Sequence, residues 1–124
     1  MSTGMLKEAR GNLAGKWLAF RYLVVDAPAI PLGDSTLDAV IENHMLYHVL
    51  DRTMELSEIH RVLRPGGRLF VTTMGRGNLR ELKDIAERIV PGAYSHGTSV
   101  EECGLENGTE QLTECFPEIA LRRR

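Results

Sequence analysis

The sequence predicts an α/β domain with a mainly parallel sheet, and three features carry that prediction. Short β-branched and aromatic runs at 20–25, 37–41 and 68–73 alternate with stretches in which apolar residues recur at helical spacing. The run at 37–41, Leu-Asp-Ala-Val-Ile, is nearly continuous in apolar character, which suits a parallel strand covered on both faces. Pro65-Gly66-Gly67 and Pro91-Gly92 fall where helical stripes end. Such alternation implies right-handed crossovers, with helices layered on the sheet. At 124 residues, 43% hydrophobic and 26% charged, the chain is one domain at most and apolar enough to fold.

In chain order, Met5, Leu6, Ala9 and Leu13 predict a short amphipathic helix, with Ser2 or Thr3 as N-cap and Gly11 and Gly15 weakening or ending it. Residues 20–25 predict a strand that stops at the acid Asp26, because Pro28 and Pro31 prevent a continuing ladder. After the turn-like Gly33-Asp34-Ser35 comes the strand at 37–41, whose chemistry changes abruptly at Glu42, Asn43 and His44. Asp51 caps a helix in which Leu56, Ile59 and Leu63 share one face while Glu55, Glu58 and Arg61 lie elsewhere, and Pro65-Gly66-Gly67 terminates it. Residues 68–73 form the next strand. Asn78 and Glu81, at capping-box spacing, precede the stripe Leu79, Leu82, Ile85, Ala86 and Ile89. An irregular excursion is expected over 93–108, then a short helix capped by Thr109 and a last strand at 118–121.

Charge and cysteine usage exclude several functions. A net charge of −2 offers no general attraction to phosphate backbones, so no nucleic acid is expected; Arg122, Arg123 and Arg124 form a solvated end. Cys103 and Cys115 lack the CxxC spacing of a zinc or redox site and are expected as free thiols in a reducing cytoplasm. The apolar run at 17–25 is broken by Arg21 and too short to span a bilayer, and the first ten residues lack signal-peptide order, so no membrane association is expected.

Three segments taken together carry a family resemblance: Asp26-Ala27; the strand Leu37-Asp38-Ala39-Val40; and the joined pattern from His48-x-x-Asp51 through Glu58-x-x-Arg61-Val62-Leu63-Arg64-Pro65-Gly66-Gly67. In this order and spacing the chain resembles the type 11 family of S-adenosylmethionine-dependent methyltransferases of class I. The resemblance implies an incomplete three-layer Rossmann-like methyltransferase fold, residues 1–124 forming a single partial domain. It also implies S-adenosylmethionine as cofactor, a small-molecule methyl acceptor and a cytoplasmic location. In that family the carboxylate matched by Asp26 accepts from the adenine amino group and the backbone N–H matched by Ala27 donates to the ring. Asn43 and His44, with Met45, match the turn that lines the cofactor. Asp26, Asn43, Thr72 and Thr73 would then share the carboxyl rim of the sheet, where open α/β folds bind ligands.

The residue types leave plainer readings open. Asp26 also suits a cap for the turn before Pro28, and Asn43 an Asx-turn that satisfies the following helix start. His48 could take a proton from an acceptor or simply fix the loop before Asp51, so no catalytic residue is assigned. His60 and His96 have no partners at metal spacing, and no metal is expected. Asp38 organises local backbone, and Met45, Met54 and Met74 read as packing residues. Gly66-Gly67 belongs to a tight turn and not to a phosphate loop.

The family's Gly-rich loop and its ribose-binding acid have no counterpart ahead of Met5, so the chain reads as N-terminally shortened. An exposed strand edge should follow. Two repairs are expected: direct pairing of residues 22–25 with 39–41, or strand sharing in a homodimer. Beside the enzyme, two rivals remain: a non-catalytic remnant or interaction module, and a fragment of a longer reading frame.

Overall fold

The computed structural model describes residues 3–92 and 103–123. Ser2, most of the excursion at 93–108 including His96, and Arg124 lie outside the described residues. The elements in order are α1 (Thr3–Leu13), β1 (Leu37–Asn43), a 3-10 turn (Leu46–His48), α2 (Arg52–Val62), β2 (Leu63–Thr72), α3 (Arg80–Ile89) and α4 (Gly108–Thr113). Among the described residues no helix is long and apolar enough to cross a membrane.

β1 and β2 pair in parallel across the α2 crossover. The partner moves from Leu63 to Arg68 while β1 advances only from Leu37 to Ala39, so Pro65-Gly66-Gly67 is looped out of the ladder. Gly66 sits there at φ +79°, the left-handed conformation expected for that turn. The expected boundary differs slightly, since α2 ends at Val62 and the extended chain begins at Leu63, ahead of the proline. At the other end of α2, the Asp51 carboxylate accepts from the Met54 N–H at 3.0 Å, as its capping role requires.

Arg61 anchors the segment that leads into β1. Its Nε and Nη2 donate to the two Glu58 oxygens at 2.7 and 2.8 Å, and its Nη1 reaches Asp34 at 2.7 Å. The same guanidinium donates to the carbonyls of Leu32 at 2.9 Å and Ile30 at 3.0 Å, while Glu58 accepts from the Ile30 N–H. The N–H groups of Ser35 and Thr36 then donate to the carbonyls of Arg61 and Val62, satisfying the open end of α2.

One face of the sheet is covered. The core joins Leu46, Tyr47, Leu56 and Cys103, with Leu69, Val71, Met74, Leu112, Cys115 and Phe116 packed around them. The opposite face is bare: the paired residues Ile41 and Phe70 remain 70% and 51% exposed. The expectation of a strand covered on both faces is therefore corrected, because no described element lies over that side.

Other expectations are also revised. Residues 20–25 form no strand; the one pairing nearby is an isolated antiparallel bridge between Asp26 and Ala29. The predicted pairing of 22–25 with 39–41 is absent, and β1 pairs with β2 alone. Residues 118–121 are likewise not a strand. α1 runs through Gly11, and Gly15, at φ +80°, follows its end. Leu79, not Asn78, occupies the N-cap of α3, and the Asn78 amide is directed to the Met74 sulfur. Asn107, not Thr109, precedes α4. Glu55 is buried in the α2 face instead of lying outside it, and Met45 and Met54 are exposed, leaving Met74 as the packing methionine.

Two measurements check this account. Leu56→Ala should cost about 2–5 kcal/mol in denaturant unfolding, since it empties a buried position, whereas Leu50→Ala, at a fully exposed residue, should leave the midpoint unchanged. The Arg61 pair holds the Glu58 carboxyl down at about 2. Its stabilisation is therefore present above the unfolded value near 4.5 and is lost as pH falls through about 2; Glu58→Gln should flatten acid unfolding across that window.

Candidate functional site

The carboxyl ends of β1 and β2 bring the polar residues of the site together. Asn43 and Thr72 are register partners, and the Thr72 hydroxyl donates to the Asn43 side-chain oxygen at 3.1 Å. The ladder is extended one step by the His44 N–H, which donates to the Thr72 carbonyl at 3.1 Å. His44 then turns the chain with φ +53°, a left-handed conformation that costs a residue with a Cβ about 1–2 kcal/mol. Asn43 is thus fixed across the sheet and not by the local Asx-turn.

Beyond the turn, Leu46 and Tyr47 enter the core while His48 stays exposed. The Tyr47 ring lies 4.5 Å from the His48 ring and 6.4 Å from that of His44, tilted to both. His48 has no carboxylate partner among the described hydrogen bonds, and its ring contact with Tyr47 fits the positioning alternative. His60, at the far side of α2, makes an edge contact with Phe116.

The segment after β2 closes one side of the rim. Thr73 donates to the Cys103 carbonyl at 2.9 Å, Leu105 N–H donates to the Met74 carbonyl, and Glu106 accepts from the Arg76 N–H. A side chain at Gly75 would meet the Glu106 carboxylate at 3.1 Å, so this crossing is close. Arg52 braces the other side, donating to Gln111 and to the Val49 carbonyl.

Beneath the turn are two acids that the residue pattern did not single out. Glu42, 6% exposed, and Glu55, 3% exposed, approach one another between β1 and α2. Both Glu42 oxygens and the Glu55 Oε2 are buried without a hydrogen-bond partner. The Met45 and Leu46 amides and the His44 and His48 rings favour the Glu42 charge electrostatically, but none closes a hydrogen bond with its oxygens, and burial still raises its pKa. Burial first, and the Glu42 charge second, push Glu55 up to about 7. The signal was available: Glu42 falls on the same strand parity as Val40, and Glu55 shares a helical face with Ile59 and Val62.

Asp26 and Ala27 lie elsewhere. They form a tight turn in which the Ala29 N–H donates to the Asp26 carbonyl at 2.9 Å, so the backbone closes it and the expected side-chain cap of this turn is absent. No described hydrogen bond or ion pair engages the exposed Asp26 carboxylate or links this turn to Asn43 and His44. The broad groove of about 620 Å³ between α1 and residues 21–23 is lined by Leu6, Lys7, Arg10, Arg21, Tyr22 and Leu23, and contains none of the predicted site residues.

The methyltransferase domain family matches residues 1–71, more than half of the chain. The chain belongs to this family. It is similar to the malonyl-[acyl-carrier protein] O-methyltransferase of Pseudescherichia vulneris, at 34% identity over 132 residues, covering 100% of this chain and 51% of that protein. It also resembles the ubiquinone/menaquinone biosynthesis C-methyltransferase of Desulfotalea psychrophila, at 40% identity over 67 residues, covering 54% of this chain and 26% of the relative. The chain therefore spans about half the length of the first and about a quarter of the second. A solved structure from Bacillus halodurans C-125 shares the fold, with a TM-score of 0.64 and 24% identity over 93% of this chain and 49% of that one. Fold class and family thus agree with the sequence: a Rossmann-like α/β methyltransferase domain.

The strained turn yields a direct test. His44→Gly should retain the fold and raise the thermal midpoint, because glycine adopts φ +53° without the side-chain penalty. Circular dichroism melting of the two proteins checks it; a lower midpoint would show that ring contacts with Tyr47 outweigh the strain.

Proposed function

We propose that this methyltransferase domain takes part in transfer of a methyl group from S-adenosylmethionine to an oxygen, nitrogen or carbon atom of a small molecule. The observation that carries the reading is the juxtaposition of Asn43, His44 and Thr72 at the carboxyl end of two paired parallel strands, the edge where open α/β sheets take ligands. The residues fit half of the cofactor. Asp26 offers an exposed, unengaged carboxylate and Ala27 a neighbouring amide for the adenine edge, while Asn43 and His44 would line the adjoining portion. When bound, S-adenosylmethionine supplies an electrophilic methyl group on a sulfonium sulfur. The chain's own residues bind and orient, and orientation alone supplies a large part of a transfer rate. No base is assigned. The O- and C-methyltransferase names of the relatives are consistent with an acceptor that is a small molecule or is linked to an acyl carrier.

The bare Ile41–Phe70 face and the unpaired edge of β1 favour a partner there. We assign that partner as a second copy of this chain, docked through the exposed face and free edge of β1. Light scattering of the purified chain should give a dimer that Ile41→Asp converts to monomer; a monomer at the outset sinks this assignment.

Calorimetric titration with S-adenosylmethionine and S-adenosylhomocysteine tests the main reading. Micromolar affinity is expected, and Asp26→Ala should weaken it about 10- to 100-fold, as loss of one hydrogen bond to a charged group implies, without altering the melting curve. Absence of heat up to millimolar ligand in a folded sample would leave the interaction-module reading in its place.

A further inference from the structure

The two buried acids beneath the turn have no role in the cofactor reading, yet they are the most exceptional groups in the described core. Burial of two coupled carboxylates, with both Glu42 oxygens and the Glu55 Oε2 lacking a hydrogen-bond partner, is costly if both are ionised. Their surroundings offer little relief. The core residues Leu46, Tyr47, Leu56 and Cys103 lie around this region, and Arg52, the cation that acts on Cys103, is engaged with Gln111 and the Val49 carbonyl. The titratable groups facing the pair are His44 and His48 from the turn and the Cys103 thiol from the segment before α4, and Arg52 from α2 acts on that thiol. The thiol feels both negative charges and is itself pushed up, mainly by burial. None of these groups makes a hydrogen bond to the orphaned oxygens.

A single proton resolves the conflict. A protonated Glu55 removes one of the two coupled charges, and Glu42, kept anionic, attracts the Met45 and Leu46 amides that begin the 3-10 turn. We infer that Glu42 and Glu55 work as a unit that holds one proton and so positions the Asn43–His44 turn against α2. Loss of that proton places two negative charges in an apolar layer directly under the turn. Glu42 lies next to Asn43 in β1, so separation of the acids displaces the residues on the rim. Glu42 and Glu55 are positioning residues, since neither is exposed to a ligand.

The sign follows from the raised carboxyl values. The folded chain binds the proton more tightly than the unfolded chain, so the contribution is complete below the unfolded value near 4.5 and is lost as pH rises towards about 7. Wild-type stability, corrected by comparison with Glu55→Gln, should fall by up to about tenfold in the folding equilibrium constant for each pH unit across that window. Glu55→Gln, neutral at every pH, should remove this component.

The wild-type chain supplies a second, independent measurement, useful if the variant fails to fold. Carbon-13 carboxyl resonances should show one buried glutamate titrating near neutral pH, with the His44 and Met45 backbone amides moving at the same midpoint. Both acids titrating below pH 5, or amides that remain still while Glu55 titrates, would overturn the proposal. Titration with S-adenosylmethionine at pH 6 and pH 8 separates it from the cofactor reading: no binding at either pH, with the carboxyl and amide titrations present, supports the proton pair and removes only the cofactor.

Discussion

Residues 26–36 contain no helix or ladder of their own, yet β1 must begin at a defined point for its side chains to alternate correctly between core and surface. Arg61 supplies that constraint. Its planar fork meets Glu58 and Asp34 and takes up the backbone carbonyls of Ile30 and Leu32, a task suited to five fixed N–H groups and poorly suited to a lysine. Because the final carbonyls of α2 receive the N–H groups of Ser35 and Thr36, the helix end and the strand start are one hydrogen-bonded joint. Arg64, paired with Asp38 and the Ser35 carbonyl, extends this joint along the first residues of the strand.

Once that joint sets the phase of β1, the opposite end follows. Val40 and Glu42 turn towards α2, Ile41 turns away, and Asn43 emerges beside Thr72. The site and the buried acids are consecutive consequences of the same alternation. A slip of one residue would expose Glu42 and bury Asn43, exchanging a charged pair under the turn for an amide. The looped-out Pro65-Gly66-Gly67 permits the phase of β2 to match, because it absorbs the mismatch before the regular ladder starts at Arg68.

How much of this was legible in the residues depended on whether local and distant forces agreed. The helix after Asp51 and the strands on either side of it were readable because a cap, an apolar stripe and a turn sequence all act within a few positions. Residues 20–25 and 118–121 have strand composition, but a strand exists only with a ladder partner, and composition does not specify one. Glu55 departs from the residue pattern because the apolar stripe through Leu56, Ile59 and Leu63 puts an acid at that position outside the core, whereas the helix buries it beside Ile59 and Val62. For the site, Asn43 and His44 lie at the strand end that their pattern indicates, whereas Asp26 sits in a separate turn whose position depends on tertiary packing that no spacing encodes.

Cys103 adds a property of a different kind. Its sulfur is packed in the core at 1% exposure, while Cys115 is only partly covered, and burial raises the Cys103 pKa further. The chain therefore carries its own chemical clock. An alkylating reagent will consume Cys115 first, and the slower disappearance of the second thiol will time each opening of the layer between α2 and α4, recording from within how often that layer comes apart.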